Sequence, residues 1–191
     1  MGFSFEKNSL INDVVLITPQ VFGDQRGFFM ETHNQKDFVE NGISNVFVQD
    51  NHSKSSKGVL RGFHFQRENT QAKLVRVISG SVLDFAIDLR KNSQTFGKYI
   101  MEVLSAENKK QLFVPKGFAH GFLTLEDNTE FVYKCDDYYN PQADGGILYS
   151  DPDLDIDREK IKRDYDIQDF ILAEKDKKQP KFKEFLENNP F

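Results

Sequence analysis

The sequence predicts an all-β protein, a barrel or sandwich of short strands with a few short helices gathered mainly toward the C-terminal end. Three observations carry this reading. Short runs of alternating apolar and polar residues follow one another with turn residues between them. The apolar complement is rich in aromatic rings, with 19 Phe, no Trp and aromatics at 13%, which argues for the globular interior such a barrel encloses. Helix-period apolar patterns are few and confined to short stretches. A chain of 191 residues with no repeat and no low-complexity linker reads as one unit, 1–191, carrying a helical appendage over about 151–191.

Taken in order, residues 14–18 read as a strand ending at Pro19. Residues 35–40 make two turns of helix, stopped by Asn41-Gly42. Strands follow at 45–49 and 59–66. Residues 73–78, the turn Ser79-Gly80-Ser81 and residues 82–89 read as a hairpin. In its second arm Leu83, Phe85, Ile87 and Leu89 share one face and Asp84 and Asp88 the other, the pattern of a half-buried strand. Residues 99–104, 111–114 and 120–125 continue the series, and Glu126-Asp127-Asn128 turns into 129–134. Helix is expected over 151–162 and 181–188, the latter with Phe182, Phe185 and Leu186 as an amphipathic stripe after Pro180.

Charge and cysteine content exclude several classes. A net charge of −5 with 29% charged residues leaves no footprint for nucleic acid. The one cysteine, Cys135, excludes an internal disulfide and fits a reducing compartment. No apolar run approaches a membrane span, and MGFSFEKNSL lacks a secretory pattern, so the expected location is the cytoplasm.

The chemistry concentrates around two of the four histidines, His33, His52, His64 and His120. His64 lies in GVLRGFHFQ and His120 in VPKGFAHGF, both glycine-punctuated strands; His33 and His52 read as structural. Imidazole moves protons near neutral pH, so His64 is the candidate base. Tyr133 shares a strand face with Phe131 and can donate from a phenol that resists ionisation. Lys73 has the parity of Val75 and Val77, and a lysine on an apolar face points to a pocket, where it would stabilise an enolate oxygen. Each has a bland reading alone: a core tyrosine, a solvated lysine, a packed histidine. Strict alternation sets Arg61 opposite His64. Either Gly62 carries a bulge that re-aims the strand, or Arg61 points elsewhere, such as into a neighbouring subunit's site. Arg26, Arg61 and Lys175 form an anion-binding set suited to a diphosphate, and Tyr138-Tyr139 offers a flat face for a nucleobase.

Gly58 with His64, and Pro115, Gly117 and His120, resemble the two signature motifs of the cupin superfamily. Metal-binding cupins place His-x-His in the first motif; here it is His64-Phe65-Gln66, and an amide is a poor substitute ligand. No metal is therefore expected. More specifically, the chain resembles the dTDP-4-dehydrorhamnose 3,5-epimerase family over nearly its whole length. The matching blocks are 21–24 with 26–29, 48–53, 58–62 with His64, 73–76, 104–109, Pro115 with 117–122, and 130–131 with Tyr133-Lys134 and Tyr138-Tyr139. The resemblance implies a cupin-type jelly-roll barrel, without cofactor and homodimeric, acting on dTDP-4-keto-6-deoxyglucose. It implies His64 as general base, Tyr133 as general acid, Asp176 as the acidic partner of the histidine and Lys73 at the C4 oxyanion. Arg26, Glu31, Gln49, Asp50, Asn51, Arg61, His120, Asp144 and Lys175 fall at substrate-contact positions, and Tyr139 at the base-stacking one. Asp144 stands where better-known members carry Glu, Phe63 where Leu is usual, and Tyr149 where Trp is familiar. A mono-epimerase or ketoisomerase on a related nucleotide sugar, a non-catalytic sugar-nucleotide-binding barrel and a metal-dependent cupin oxygenase are the rival readings.

Overall fold

Two antiparallel sheets face one another across an apolar interior in the computed structural model, which describes residues 2–191. In chain order the strands are β1 (Phe3–Lys7), β2 (Val15–Pro19), β3 (Phe22–Asp24), β4 (Gly27–Phe29), β5 (Gln49–Ser55), β6 (Leu60–Gln66), β7 (Lys73–Ser79), β8 (Ser81–Asp88), β9 (Tyr99–Ser105), β10 (Gln111–Val114), β11 (Phe118–Thr124), β12 (Thr129–Cys135) and β13 (Asp144–Gly146). The helices are α1 (Gln35–Glu40), α2 (Arg158–Asp164) and α3 (Phe182–Glu187), with 3-10 turns at Pro152–Leu154 and Asp176–Lys178. One sheet runs β1-β2-β10-β7-β12-β5, the other β13-β6-β11-β8-β9, and β3 and β4 pair only with each other. This is the all-β jelly-roll arrangement the sequence suggests.

Three apolar layers hold it together. Between the sheets lie Val75, Val77, Val82, Ala86, Phe118, Phe122 and Phe131. Outside the five-stranded sheet, Phe63, Phe65, Leu83, Phe85 and Ile87 pack beneath Leu154, Ile161, Phe182 and Phe185 from the C-terminal region. Outside the six-stranded sheet, Ile17, Leu74 and Phe113 pack beneath Phe38 and Ile43. The helix at 35–40 forms as expected, capped by Asn34, whose side chain accepts from the Lys36 and Asp37 amides.

The expected hairpin over 73–89 does not form. β7 pairs with β10 and β12, while β8 pairs with β11 and β9. The turn at Gly80 instead carries the chain from one sheet to the other. Alternation identifies strands, not their partners, and each of these strands is central and has two neighbours. Nor is β8 half-buried: all its residues are buried. Its Leu83, Phe85 and Ile87 face the C-terminal region, whereas Val82, Asp84 and Ala86 face the barrel interior. The strand expected at 45–49 lies at Gln49–Ser55, a polar run in which exposure alternates. Helix over 151–162 is confined to α2, with Asp157 accepting from the Lys160 amide at 2.8 Å, because Pro152 and Asp155 shape a separate 3-10 turn. In the tail, Phe182 and Phe185 are buried but Leu186 is 39% exposed.

One irregular segment bears on the site. Ile171 pairs with the backbone beside β6, with its amide donating to Gly58 O at 2.8 Å and its carbonyl accepting from Leu60 N at 3.0 Å. Further on, Pro180 O accepts from Leu148 N at 2.9 Å. Residues 171–180 thus form a strap fastened at both ends.

Candidate active site

A cavity of about 420 Å³ opens between the sheets beneath this strap. His64 on β6 and His120 on β11 stand directly across from each other in one wall. Lys73 on β7, Tyr133 on β12 and Ser53 on β5 line the other, and Ala173, Lys175 and Asp176 border the opening.

The parity conflict at Arg61 resolves through a bulge. His120 is opposite His64 but Phe122 is opposite Arg61, so β6 advances three residues while β11 advances two. The extra residue puts Arg61 and His64 in the same cavity. Gly62 makes this possible: its φ is 149°, and a Cβ there would lie 2.7 Å from Gly121 Cα. Arg61 is steadied by Ser55 Oγ, which accepts from Nε at 3.3 Å and from Nη2 at 3.2 Å.

Two histidine–carboxylate dyads meet here. His64 Nε2 donates to Asp176 Oδ1 at 2.7 Å; the Asp176 side chain is 3% exposed and that of His64 25%. Asp176 sits in the 3-10 turn of the strap, which brings a C-terminal carboxylate to a histidine on a distant strand. His120 Nε2 lies 3.0 Å from both oxygens of Asp84, whose side chain is 0% exposed. Burial pushes the Asp84 carboxyl above its ordinary value, against the opposing pull of His120 and Lys73. Asp84, the buried partner of a cavity histidine, is the residue that sequence reasoning missed. The signal was present: a carboxylate between Val82 and Ala86 on a strand read as having a polar outer face.

Facing these, Tyr133 packs against Phe131 with ring centroids 6.0 Å apart. Burial raises the phenol to about 12, so it holds its proton throughout the neutral range. Burial also pulls the Lys73 amine below its usual value, a loss that Cys135, Asp84 and Asp144 partly offset.

At the rim, Lys175 Nζ approaches Asp144 Oδ2 at 3.4 Å. Gln49 and Asn51 have the parity of Ser53 and Tyr133 and bond each other, with Nε2 of the former donating to Oδ1 of the latter at 3.1 Å. Gln49 Oε1 also accepts from the amide of the exposed Tyr139 at 2.8 Å. Three expected site residues lie elsewhere. Asp50 has the opposite parity and pairs with Lys134 at 2.9 Å outside the barrel. Arg26 is at the β3–β4 turn, 85% exposed and paired with Asp24. Glu31, just beyond that hairpin, does not line the cavity. Arg26 and its hairpin, paired with no other strand, do not line the cavity. His33 is wedged between Phe38 and Phe47 and His52 pairs with Glu130 at 3.0 Å, both away from the cavity. Among the described residues no three His, Cys, Asp or Glu side chains converge as a metal-ligand set, and no helix is long and apolar enough to cross a membrane.

An anchored imidazole in one wall, and a phenol that stays protonated beside a desolvated amine in the other, suit proton transfer at carbon next to a carbonyl. Comparison with known proteins points the same way. The family model described as dTDP-4-dehydrorhamnose 3,5-epimerase matches residues 8–184. A dTDP-4-dehydrorhamnose 3,5-epimerase of Methanothermobacter thermautotrophicus is 50% identical over 175 residues, 92% of each chain. The solved dTDP-4-dehydrorhamnose 3,5-epimerase of Elizabethkingia anophelis superposes with a TM-score of 0.87 at 48% identity, covering 96% of this chain and 98% of that one. A Legionella pneumophila epimerase solved with dTDP-4-keto-L-rhamnose gives 0.87 at 43% identity, covering 94% and 92%. The chain belongs to the dTDP-4-dehydrorhamnose 3,5-epimerase family.

Proposed function

We propose that this epimerase inverts C3 and C5 of dTDP-4-keto-6-deoxyglucose, giving dTDP-4-dehydro-L-rhamnose, with the cavity between the sheets as its site. The observation that carries the reading is the placement of His64 and Tyr133 on opposite walls of one chamber. The C4 ketone acidifies the hydrogens on C3 and C5. His64, oriented through Nε2 by Asp176, takes one of these protons on its free ring nitrogen, and charge moves to the C4 oxygen. Lys73 stabilises that enolate, and its desolvated amine needs little reorganisation to do so. Tyr133 returns a proton to carbon from the other face; the resulting phenolate then regains one from solvent and the His64 imidazolium releases its own to solvent. With both groups reset, they serve the second carbon. A positioned base contributes on the order of 10²- to 10⁴-fold, and an oxyanion donor roughly 3 to 4 kcal/mol. Arg61 and Lys175 supply charge for the diphosphate, and Tyr139 a stacking face for the base.

The working unit we propose is a homodimer. Phe22, Phe28 and Phe29 are 44%, 59% and 60% exposed on the β3–β4 hairpin, an apolar surface of the kind that marks a partner interface. That hairpin carries Arg26, which is needed at the nucleotide but lies outside the chain's own cavity; a partner copy would receive it. The buried free thiol of Cys135 suits a reducing cytoplasm.

Incubation with dTDP-4-keto-6-deoxyglucose in heavy water tests the reading. Deuterium at both C3 and C5 with an L-configured product is expected. Label at one carbon would make the enzyme a mono-epimerase, and tight binding with no label would make it a binding barrel. Light scattering should give twice the 22.1 kDa chain mass.

A further inference from the structure

The second dyad has no part in the proton relay above, yet the fold holds a carboxylate at the barrel floor to make it. We propose that Asp84 is a positioning residue: it holds the His120 ring by Nε2 so that Nδ1 faces the cavity and donates to the enolate oxygen beside Lys73. The inference rests on the epimerase reading and deepens it by assigning a second support to the developing oxyanion.

The geometry is specific. Both Asp84 oxygens lie 3.0 Å from the one nitrogen, which leaves Nδ1 as the ring's only free polar atom. Among the described residues, the sealed side-chain polar atoms without partners are His33 Nε2 and Thr124 Oγ1; His120 Nδ1 is therefore open to the cavity that its side chain lines. The ring is fixed in plane by Phe131, whose face lies 22° from parallel at 6.2 Å. When the ring carries a proton on both nitrogens, Nε2 donates to Asp84 and Nδ1 is a donor into the cavity. Lys73 reaches the same space from the opposite sheet, so an oxygen between them would meet two donors.

Energetics argue against a purely structural role. Asp84 is fully buried, and burial outweighs its partners in shifting its carboxyl upward. A buried ion pair of this kind stabilises a fold little, if at all, relative to a neutral replacement. On the other flanking strand nothing eases that cost: Glu102, directly across on β9, is itself acidic.

The test uses the full-length enzyme and the variants Asp84→Asn, His120→Gln and the double variant. For Asp84→Asn we expect a loss in kcat of roughly 10- to 100-fold, as for other groups that orient a working histidine. KM and dTDP affinity should stay within about twofold, and the melting temperature should be no lower than wild type. In the His120→Gln background the same change should cost nothing further in kcat, because Asp84 acts through that ring. The inference is overturned if Asp84→Asn retains wild-type kcat, if kcat and melting temperature fall together, or if its cost is the same with and without His120. Failure of the epimerase reading would look different, since the wild-type protein itself would then label no carbon.

Discussion

The two dyads solve one problem in opposite places. Each binds a histidine through Nε2 to a carboxylate that is almost wholly buried. His120–Asp84 joins adjacent central strands, β11 and β8, and the histidine side chain is 8% exposed. His64–Asp176 joins a strand to the strap, with the ring a quarter exposed. The first is as rigid as the sheet. The second depends on a segment held by the Ile171 and Pro180 backbone bonds. Proton abstraction needs a ring reachable by substrate and solvent, whereas supporting charge needs a ring that does not move. Exposure and anchorage thus separate the roles of two chemically equal pairs.

The sharpest way to break this contrast is Asp176→Asn. The amide keeps the shape but loses the charge that stabilises the imidazolium, and it permits the wrong tautomer, so kcat should fall on the order of 10³-fold with dTDP affinity retained. If steady-state kinetics show a loss smaller than that of Asp84→Asn, the assignment of the two dyads is reversed. A second effect, roughly 10²-fold, is expected for Tyr133→Phe in inverted product, with deuterium exchange surviving better because abstraction needs only the base. Equal loss of both by NMR would deny the phenol its role. Its pH dependence follows from burial: the acid form persists up to about 12. The difference in ultraviolet absorbance between wild type and Tyr133→Phe should then show no phenolate below pH 10.

Gly62→Ala should cost about 1–3 kcal/mol in chemical denaturation, since the new Cβ meets Gly121 Cα on β11. It should also weaken binding by turning Arg61 away from His64. The smallest effect concerns a histidine with no carboxylate bonded to it. Burial lowers the pKa of His33, so the folded state favours its neutral form. Its contribution to stability is present above the ordinary histidine pKa of about 6.5 and is lost as pH falls below it. His33→Phe should flatten that part of the stability-versus-pH curve, measured by thermal melting between pH 7 and 5.

Much of this was legible from residues alone. Lys73 and Tyr133 announce themselves by parity, because an ionisable group on an apolar strand face has few reasons to be there, and His64 by the glycines that punctuate its strand. Gly62 was visible as one of two ways to reconcile Arg61 with His64. What stayed hidden depended on pairing. β7 and β8 read as a hairpin because strand alternation does not record which sheet a strand enters. The same error put Asp84 on a solvent face, since a strand buried on both sides has no polar exterior. β5 was misplaced because its inward residues Gln49, Asn51 and Ser53 are polar, which erases the alternation that marks a strand. Asp176 came from the resemblance, and no local pattern announces a strap that carries a carboxylate across the barrel mouth. Arg26 and Glu31 match family positions but lie outside this chain's cavity, which local sequence does not reveal.

The central claim is that His64 is the base facing Tyr133 across one chamber. The most direct measurement is solvent-deuterium uptake at C3 and C5 of dTDP-4-keto-6-deoxyglucose by wild type and His64→Ala, alongside calorimetric dTDP binding. The account predicts label at both carbons for wild type, none for His64→Ala and nucleotide affinity within about twofold. Exchange at the wild-type rate in His64→Ala would contradict it.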